Sequence, residues 1–426
     1  MILIKGGLVI DPEMSSEFKA DVILDGSVIK GIGTYEDDEK YEMVIDASGC
    51  VVAPGLVDVH VHFRDPGLVY KEDIHTGANA AAAGGFTTVV AMANTKPPVD
   101  NLETLQYVIE EGKKTKIHVL SVAAISKGMK GQELVDMEGL KSAGAVGFTD
   151  DGIPLIDQKL VRQAMEQAAR LELPLSFHEE DPGFIKNNGI NHGKISATLG
   201  IYGSPSLAED SLVARDCMIA LHTGASVNIQ HISSKHAVEL VRSAKRMGAH
   251  ISAEVTPHHF TLTEDAVLEK GTLAKMNPPL RTEEDRMALI KGLQDGTIDL
   301  IATDHAPHSE EEKARPLTEA PSGIIGLETA LALAITELVE PGYLSLAQVI
   351  EKMSLNPAKL YHLECGRMKA GRPADIVIFD IGENWIVKQF HSKSSNSPFV
   401  GRWLKGKVKW TICNGKVAYE DGKANA

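Results

Sequence analysis

Two rhythms of apolar and polar positions divide the chain. Residues 1–53 carry short apolar runs broken by Gly and Asp, in "MILIKGGLVIDP", "ADVILDGSVIKGIG" and "EMVIDASGCVVAP". The C-terminal stretch repeats that character in "ADIVIFDIG", "WIVKQF" and "VKWTICNGKVAYEDG". Apolar or β-branched runs of this length between turn formers predict strands. Chain ends commonly lie close together, so the two segments are expected to pair into one small β domain, residues 1–53 with 366–426.

Between them, eight apolar strand candidates follow one another: "LVDVHVHF", "TTVVAMAN", "IHVLSVAA", "AVGFTDDG", "LPLSFHEE", "VNIQHIS", "HISAEVTPH" and "IDLIATDH". Most gaps hold helix-like stretches such as "NLETLQYVIEEGKK", "DQKLVRQAMEQAARLE" and "SKHAVELVRSAKRMGA". Alternating β and α predicts a parallel sheet, and eight units over residues 54–365 predict an α/β fold of the (β/α)8, TIM-like barrel type. The competing reading is a doubly wound open sheet, but no GxGxxG or GxxxxGK[ST] follows a strand. "GLETALALAITELVEPG" and "SLAQVIEKMSLNPAKLYHL" are expected to close the barrel as helices.

The first barrel strand contains the stretch "VDVHVHFRDPG". Side chains two apart share a strand face, so Val57, Val59 and Val61 point one way and Asp58, His60 and His62 the other. Barrel chemistry sits at the C-terminal strand ends. Reading those ends gives His60 and His62, then Asn94, Asp150 and Asp151, His178, His231 and Asp304. Each has an ordinary reading alone: a strand residue, a turn or cap aspartate, a hydrogen-bonded core histidine. Together they are hard to explain by packing, and neutral imidazole with ionised carboxylate is the usual ligand set for zinc. His258 and His259 stand near the same mouth and are expected to make structural hydrogen bonds. His118 and other histidines away from the strand ends keep structural readings, and His305 should face away from Asp304.

Composition adds limits. The 426 residues carry a net charge of -15, which argues against nucleic acid or an anionic membrane as partner. Four cysteines form no CxxC pair, so reduced thiols are expected rather than a disulfide framework. No apolar run reaches membrane-spanning length and the first residues lack a secretory pattern. A cytoplasmic protein acting on a small molecule is expected, with a homodimer left open.

The strings "DVHVHFRDPG", "FTDDG", "SFHEE", "QHIS", "TPHHF", "MNPPLR", "TDHAPHS" and "GIIGLET" together resemble the amidohydrolase superfamily. Within it they resemble the dihydroorotases of the single-function bacterial type, over essentially the whole chain. The resemblance implies two Zn2+ ions: His60, His62 and Asp304 at the more buried one, His178 and His231 at the other. Many relatives bridge the ions with a carboxylated lysine at strand four. Here no lysine occurs from Ser142 to Gln158, and the bridge is assigned to Asp151 in preference to Asp150. The implied reaction is reversible cyclisation of N-carbamoyl-L-aspartate to L-dihydroorotate with release of water, in pyrimidine (UMP) biosynthesis. A metal-bridged hydroxide would be the nucleophile and Asp304 the catalytic general acid/base.

Arg64 is the expected clamp for the substrate carboxylate, since its planar fork suits bidentate pairing. The ordinary alternative is a salt bridge with Asp65 or Glu72. The resemblance adds Asn94 and His308 to the carboxylate site, and Asn277 with the backbone at Gly323 to the ring amide; Arg281 is a weaker candidate. Residues 305–323 are read as a lid over the mouth. The sequence departs from the family at Ala93, where proline is usual, and at Ser322, where an aromatic is usual; altered affinity is expected. Two alternatives stand beside this reading: a hydantoinase or dihydropyrimidinase-like cyclic amidohydrolase, and a non-catalytic dihydroorotase-like partner protein.

Overall fold

The computed structural model describes residues 1–35 and 41–423. The N-terminal strands are β1 (Ile2–Asp11), β2 (Ser16–Asp25), β3 (Val28–Gly33), β4 (Met43–Asp46) and β5 (Val51–Pro54). Eight short strands follow, each at one of the predicted positions: β6 (Leu56–Val61), β7 (Phe86–Ala91), β8 (His118–Ser121), β9 (Phe148–Thr149), β10 (Leu175–Phe177), β11 (Val227–Ile229), β12 (Ile251–Val255) and β13 (Leu300–Ile301). All neighbouring pairs within β6–β8 and within β9–β13 are parallel. Two parallel bridges, Ala123 with Phe148 and Val61 with His305, join the two groups edge to edge and close the barrel.

The chain ends with β14 (Ile376–Ile386), β15 (Trp403–Cys413) and β16 (Lys416–Glu420). These complete an eight-stranded sheet with β1–β5, in which β14 runs antiparallel to β5 and pairs Ile376 with Pro54. Both chain ends therefore share one sheet. "WIVKQF" is strand only to Ile386; Val387 turns into a loop held by its N–H on the Arg402 carbonyl, because β14 runs out of sheet neighbours there.

Local signals explain the elements that frame the site. Asp73 caps the helix Ile74–Ala83 and Asn101 caps Leu102–Gly112, each accepting a backbone N–H of the first turn. Gly224 ends the helix Ser206–Thr223 at φ +71°, a conformation glycine takes without a Cβ clash. The closing helices form, but Ile335–Val339 and Glu351–Leu355 are wound as π-helix, which composition does not announce. On β6, Val57 and Val59 pack with Val90, Leu300, Ala302 and Ala358 on the outer face of the barrel wall. The alternation thereby leaves Asp58 and His60 for the interior, where both are fully buried. Among the described residues no helix is long and apolar enough to cross a membrane.

Candidate active site and metal centre

Six side chains converge at the C-terminal mouth of the barrel. Strand geometry sends His60 and His62 to one point: His60 Nε2 lies 3.4 Å from Asp151 Oδ1 and His62 Nε2 lies 3.3 Å from Asp151 Oδ2. Asp304 Oδ1 joins them, 2.9 Å from His62 Nε2 and 3.5 Å from His60 Nε2. On the other side of Asp151, His178 Nδ1 and His231 Nε2 each lie 3.7 Å from its Oδ1 and 2.9 Å from one another. Asp151 thus belongs to two triads of metal-compatible groups, one with His60 and His62 and one with His178 and His231.

The choice between the adjacent aspartates is made by local bonding. Asp150 turns away and accepts from the Ile125 and Ser126 N–H groups and the Ser126 hydroxyl, which hold the loop after β8. Asp58 also stays out of the cluster. Its carboxylate accepts from the N–H groups of His60 and Thr303, tying β6 to the end of β13.

The residues fit a metal on structural grounds. Among the described residues His60 Nε2 and Asp151 Oδ1 are buried without a hydrogen-bond partner, which is costly for polar atoms unless something else occupies the point they face. The far nitrogens of three imidazoles are fixed by acceptors, which sets each tautomer so that a lone pair points inward. His60 Nδ1 donates to Glu254, His62 Nδ1 to Asn94 Oδ1 at 2.8 Å, and His178 Nε2 to Glu180 at 3.2 Å. Four nitrogens and two carboxylates without sulfur suit a zinc-class dication.

The electrostatics point the same way. Burial opposes ionising Asp304, but His60, His62 and His231 around it hold its carboxyl well below the usual carboxylate range. Burial likewise opposes a charged Asp151, and His60, His231 and His62 overcome it. His60 is pulled the other way: desolvation is outweighed by Glu254, Asp151 and Asp304, so its affinity for a positive charge is well above the ordinary. A metal dication would satisfy the same demand as that proton.

Three site residues have left-handed backbone: Arg64 at φ +60°, His231 at +33° and Asp304 at +49°. Such conformations cost non-glycine residues about 1–3 kcal/mol each and concentrate at functional sites.

The remaining predicted residues surround this cluster. Arg64 donates from Nε to the Pro307 carbonyl at 3.3 Å and brings its terminal nitrogen to 3.5 Å from His308 Nε2. Among the described residues it pairs with no carboxylate, so neither Asp65 nor Glu72 takes the role the ordinary reading offered. Asp65 accepts instead from the Tyr107 hydroxyl, and Glu72 from Ser392 and Thr76. His308 gives Nε2–H to the Ser322 carbonyl and accepts at Nδ1 from Lys71; burial first, then Arg64, Lys71 and Lys313, hold its pKa far down. Asn277 Oδ1 is buried without a hydrogen-bond partner among the described residues. Asn94 is engaged on His62 and, through Nδ2, on Asp151. The Gly323 N–H donates to the Lys275 carbonyl and its own carbonyl takes Lys313 and Asn396, so both groups are occupied in this conformation.

Arg281 is structural: it donates to Ser233, Asn191, the Ser204 carbonyl and Glu209. The segment 305–323 lies down on its surroundings. Its helix Glu310–Lys313 is held through Glu312 by Tyr70 and by Lys71 at 2.8 Å, and Lys313 ties back to the Pro321 and Gly323 carbonyls.

Two groups escape a reading of the sequence. Glu254 and Glu180 orient His60 and His178 of the cluster, and Glu254 is itself held by Asn228 at 3.0 Å. The available signal was a charged residue on the inward face of a buried strand in "ISAEV". His259 bonds Thr256 and the Pro278 carbonyl as expected, but His258 Nε2 is buried without a hydrogen-bond partner among the described residues.

Relatives place this geometry. A sequence family described as dihydro-orotase-like matches residues 49–237. A dihydroorotase of Clostridioides difficile is 60% identical over 98% of this chain and 100% of its own length. One from Streptococcus pneumoniae is 52% identical over 99% of this chain and 100% of its own. The chain belongs to the dihydroorotase family. Among solved structures, an L-hydantoinase from Arthrobacter aurescens matches with a TM-score of 0.90 at 25% identity, covering 100% of this chain and 97% of its own. A D-hydantoinase from Thermus sp. matches at 0.86 and 27%, covering 100% and 96%. The barrel and end-sheet architecture is thus the amidohydrolase one, and the chain is a hydrolase of that superfamily with candidate metal-ligating groups in place.

Proposed function

We propose that the protein is a metal-dependent dihydroorotase, interconverting N-carbamoyl-L-aspartate and L-dihydroorotate in pyrimidine biosynthesis. The observation that carries this over a hydantoinase is Arg64, a guanidinium without a carboxylate partner among the described residues beside a metal-compatible cluster. Hydantoin-type rings bring no carboxylate to it, whereas dihydroorotate does. The relatives named dihydroorotase at 48–60% identity support the same substrate.

Zinc is the proposed ion, two per chain; His60, His62 and Asp304 would hold one, His178 and His231 the other, and Asp151 would serve both. Ions of this class supply Lewis acidity and an ionised water at neutral pH. Asp304 has one oxygen in the cluster and is held ionised, so it is the base that takes a proton from the attacking water and delivers it to the departing ring nitrogen. In ring closure it removes the ureido proton instead. Arg64 and His308 orient the retained carboxylate, while Asn94 stands ready to exchange a bond with the substrate for one within the cluster. Asn277 Oδ1 is free to accept a ring N–H. The segment 305–323 acts as the lid that excludes water. A division into an end-sheet domain (1–53 with 366–426) and a barrel (54–365) belongs to the same proposal, as does a cytoplasmic location.

The test is parallel turnover of dihydroorotate and hydantoin by the zinc-loaded protein. Turnover of dihydroorotate with little on hydantoin is expected; the reverse preference contradicts the proposal.

A further inference from the structure

A second set of metal-compatible side chains lies at the opposite end of the barrel from the active site. His118 opens β8, Asp375 precedes β14 and Cys413 ends β15, so the three come from different elements and meet where the end sheet touches the barrel. Their ligand atoms all lie within 4.8 Å of one another, and His118 Nε2 is 3.2 Å from Asp375 Oδ2. Ligands on one tetrahedral zinc are about 3.3–3.7 Å apart, so only a small inward movement is needed.

The ligand atoms are engaged chiefly with one another. Asp375 uses Oδ1 on the Asn414 N–H at 2.7 Å, which keeps Oδ2 turned toward His118. The Cys413 thiol donates weakly to the Thr87 carbonyl at 3.5 Å and also meets Asp375; burial and the Asp375 charge push its pKa up, so an ion must displace its proton. Cys413 and Asp375 are buried, but the His118 side chain is 42% exposed. A cleft of about 750 Å³ reaches His118 and Cys413, and one of about 530 Å³ reaches His118 and Asp375. An ion therefore has a route in, and solvent can supply a fourth ligand.

We propose that His118, Asp375 and Cys413 form a second metal site, for one thiophilic dication of the zinc class, that ties the end sheet to the barrel. On binding, the ion replaces the Cys413 thiol proton and the proton shared between His118 Nε2 and Asp375, and both leave to solvent. One neutral thiol becomes a metal thiolate, with no change of oxidation state.

The active-site cluster contains no sulfur, so a sulfur signal that depends on Cys413 reports on this site and is independent of the proposed reaction. The holoenzyme is titrated with Co2+ while near-ultraviolet absorbance is followed. A sulfur-to-cobalt charge-transfer band is expected, saturating at about one equivalent per chain. The band should be absent from Cys413→Ser, and His118→Asn should need more than about tenfold more cobalt to reach half saturation. Dihydroorotate turnover by either zinc-loaded variant should match the parent, which shows that they fold. No band in the parent protein, or a band unchanged in Cys413→Ser, overturns the site; should Cys413→Ser not fold, an unchanged titration in His118→Asn does so.

Discussion

Replacing Arg64 by methionine removes the guanidinium while keeping a long side chain. Both residues carry a Cβ, so the strain of φ +60° is the same before and after, and folding stability should change little. The loss falls on recognition. In the free protein Nε is engaged on the Pro307 carbonyl, which leaves the two terminal nitrogens to grip the substrate carboxylate side by side. Charge-assisted hydrogen bonds contribute about 1.5–3 kcal/mol each, and a pair sharing one desolvated fork contributes about 3–4 kcal/mol together. That corresponds to about 10²- to 10³-fold in kcat/KM. The carboxylate does not take part in bond making, so most of the effect should appear in KM. Arg64→Lys keeps the charge without the fork and should lose less, about tenfold. Initial rates on dihydroorotate are compared with rates on dihydrouracil, the same ring without the carboxylate. A loss confined to dihydroorotate is expected; an equal loss on both rings, or none on either, refutes the reasoning.

Asp304→Ala should lower kcat by at least about 10³-fold with zinc still bound and product analogue affinity within about tenfold, measured by steady-state kinetics and calorimetry. Glu254→Gln keeps an acceptor for His60 Nδ1 but removes its charge. Competition with a chelator should show zinc held about 10- to 100-fold more weakly, and unchanged affinity would mean that Glu254 does not tune the ligand. Glu328, which accepts from the N–H groups of His391 and Ser392, has its pKa pushed up to about 7 by burial. A raised carboxyl pKa stabilises the fold fully below the unfolded value near 4.5, and that contribution is lost as pH rises through 7. Urea unfolding at several pH values should therefore show Glu328→Gln flattening a decline of up to about 3 kcal/mol between pH 5 and 8.

Most of the barrel was legible because its signals are local. Strand alternation in "VDVHVHF" separates packing valines from interior histidines, and eight such segments with helices between them allow few other folds. The residues that converge at the barrel mouth were legible for the same reason, since each stands at the end of a strand. What tertiary structure alone decides was not. Glu254 orients His60 across 194 positions of sequence, and no spacing rule connects them. Arg64 was the expected cation in the sequence and Arg281 the weaker one; the structure shows why, with Arg281 held by four partners and Arg64 without a carboxylate partner among the described residues. Asp150 and Asp151 differ by one residue, and Ser126 captures one of them. His118 was rightly placed away from the catalytic ends, but its neighbours Asp375 and Cys413 come from the other end of the chain.

The most direct test of the metal-dependent reaction is ring closure of N-carbamoyl-L-aspartate, followed by ultraviolet absorbance, in protein stripped by a chelator and then returned stepwise to zinc. The active-site geometry predicts no turnover in the stripped protein and recovery that is complete once His60, His62, Asp151, His178, His231 and Asp304 hold two ions. Turnover that persists without metal, or zinc-loaded protein that closes no ring while hydrolysing hydantoin, would contradict it.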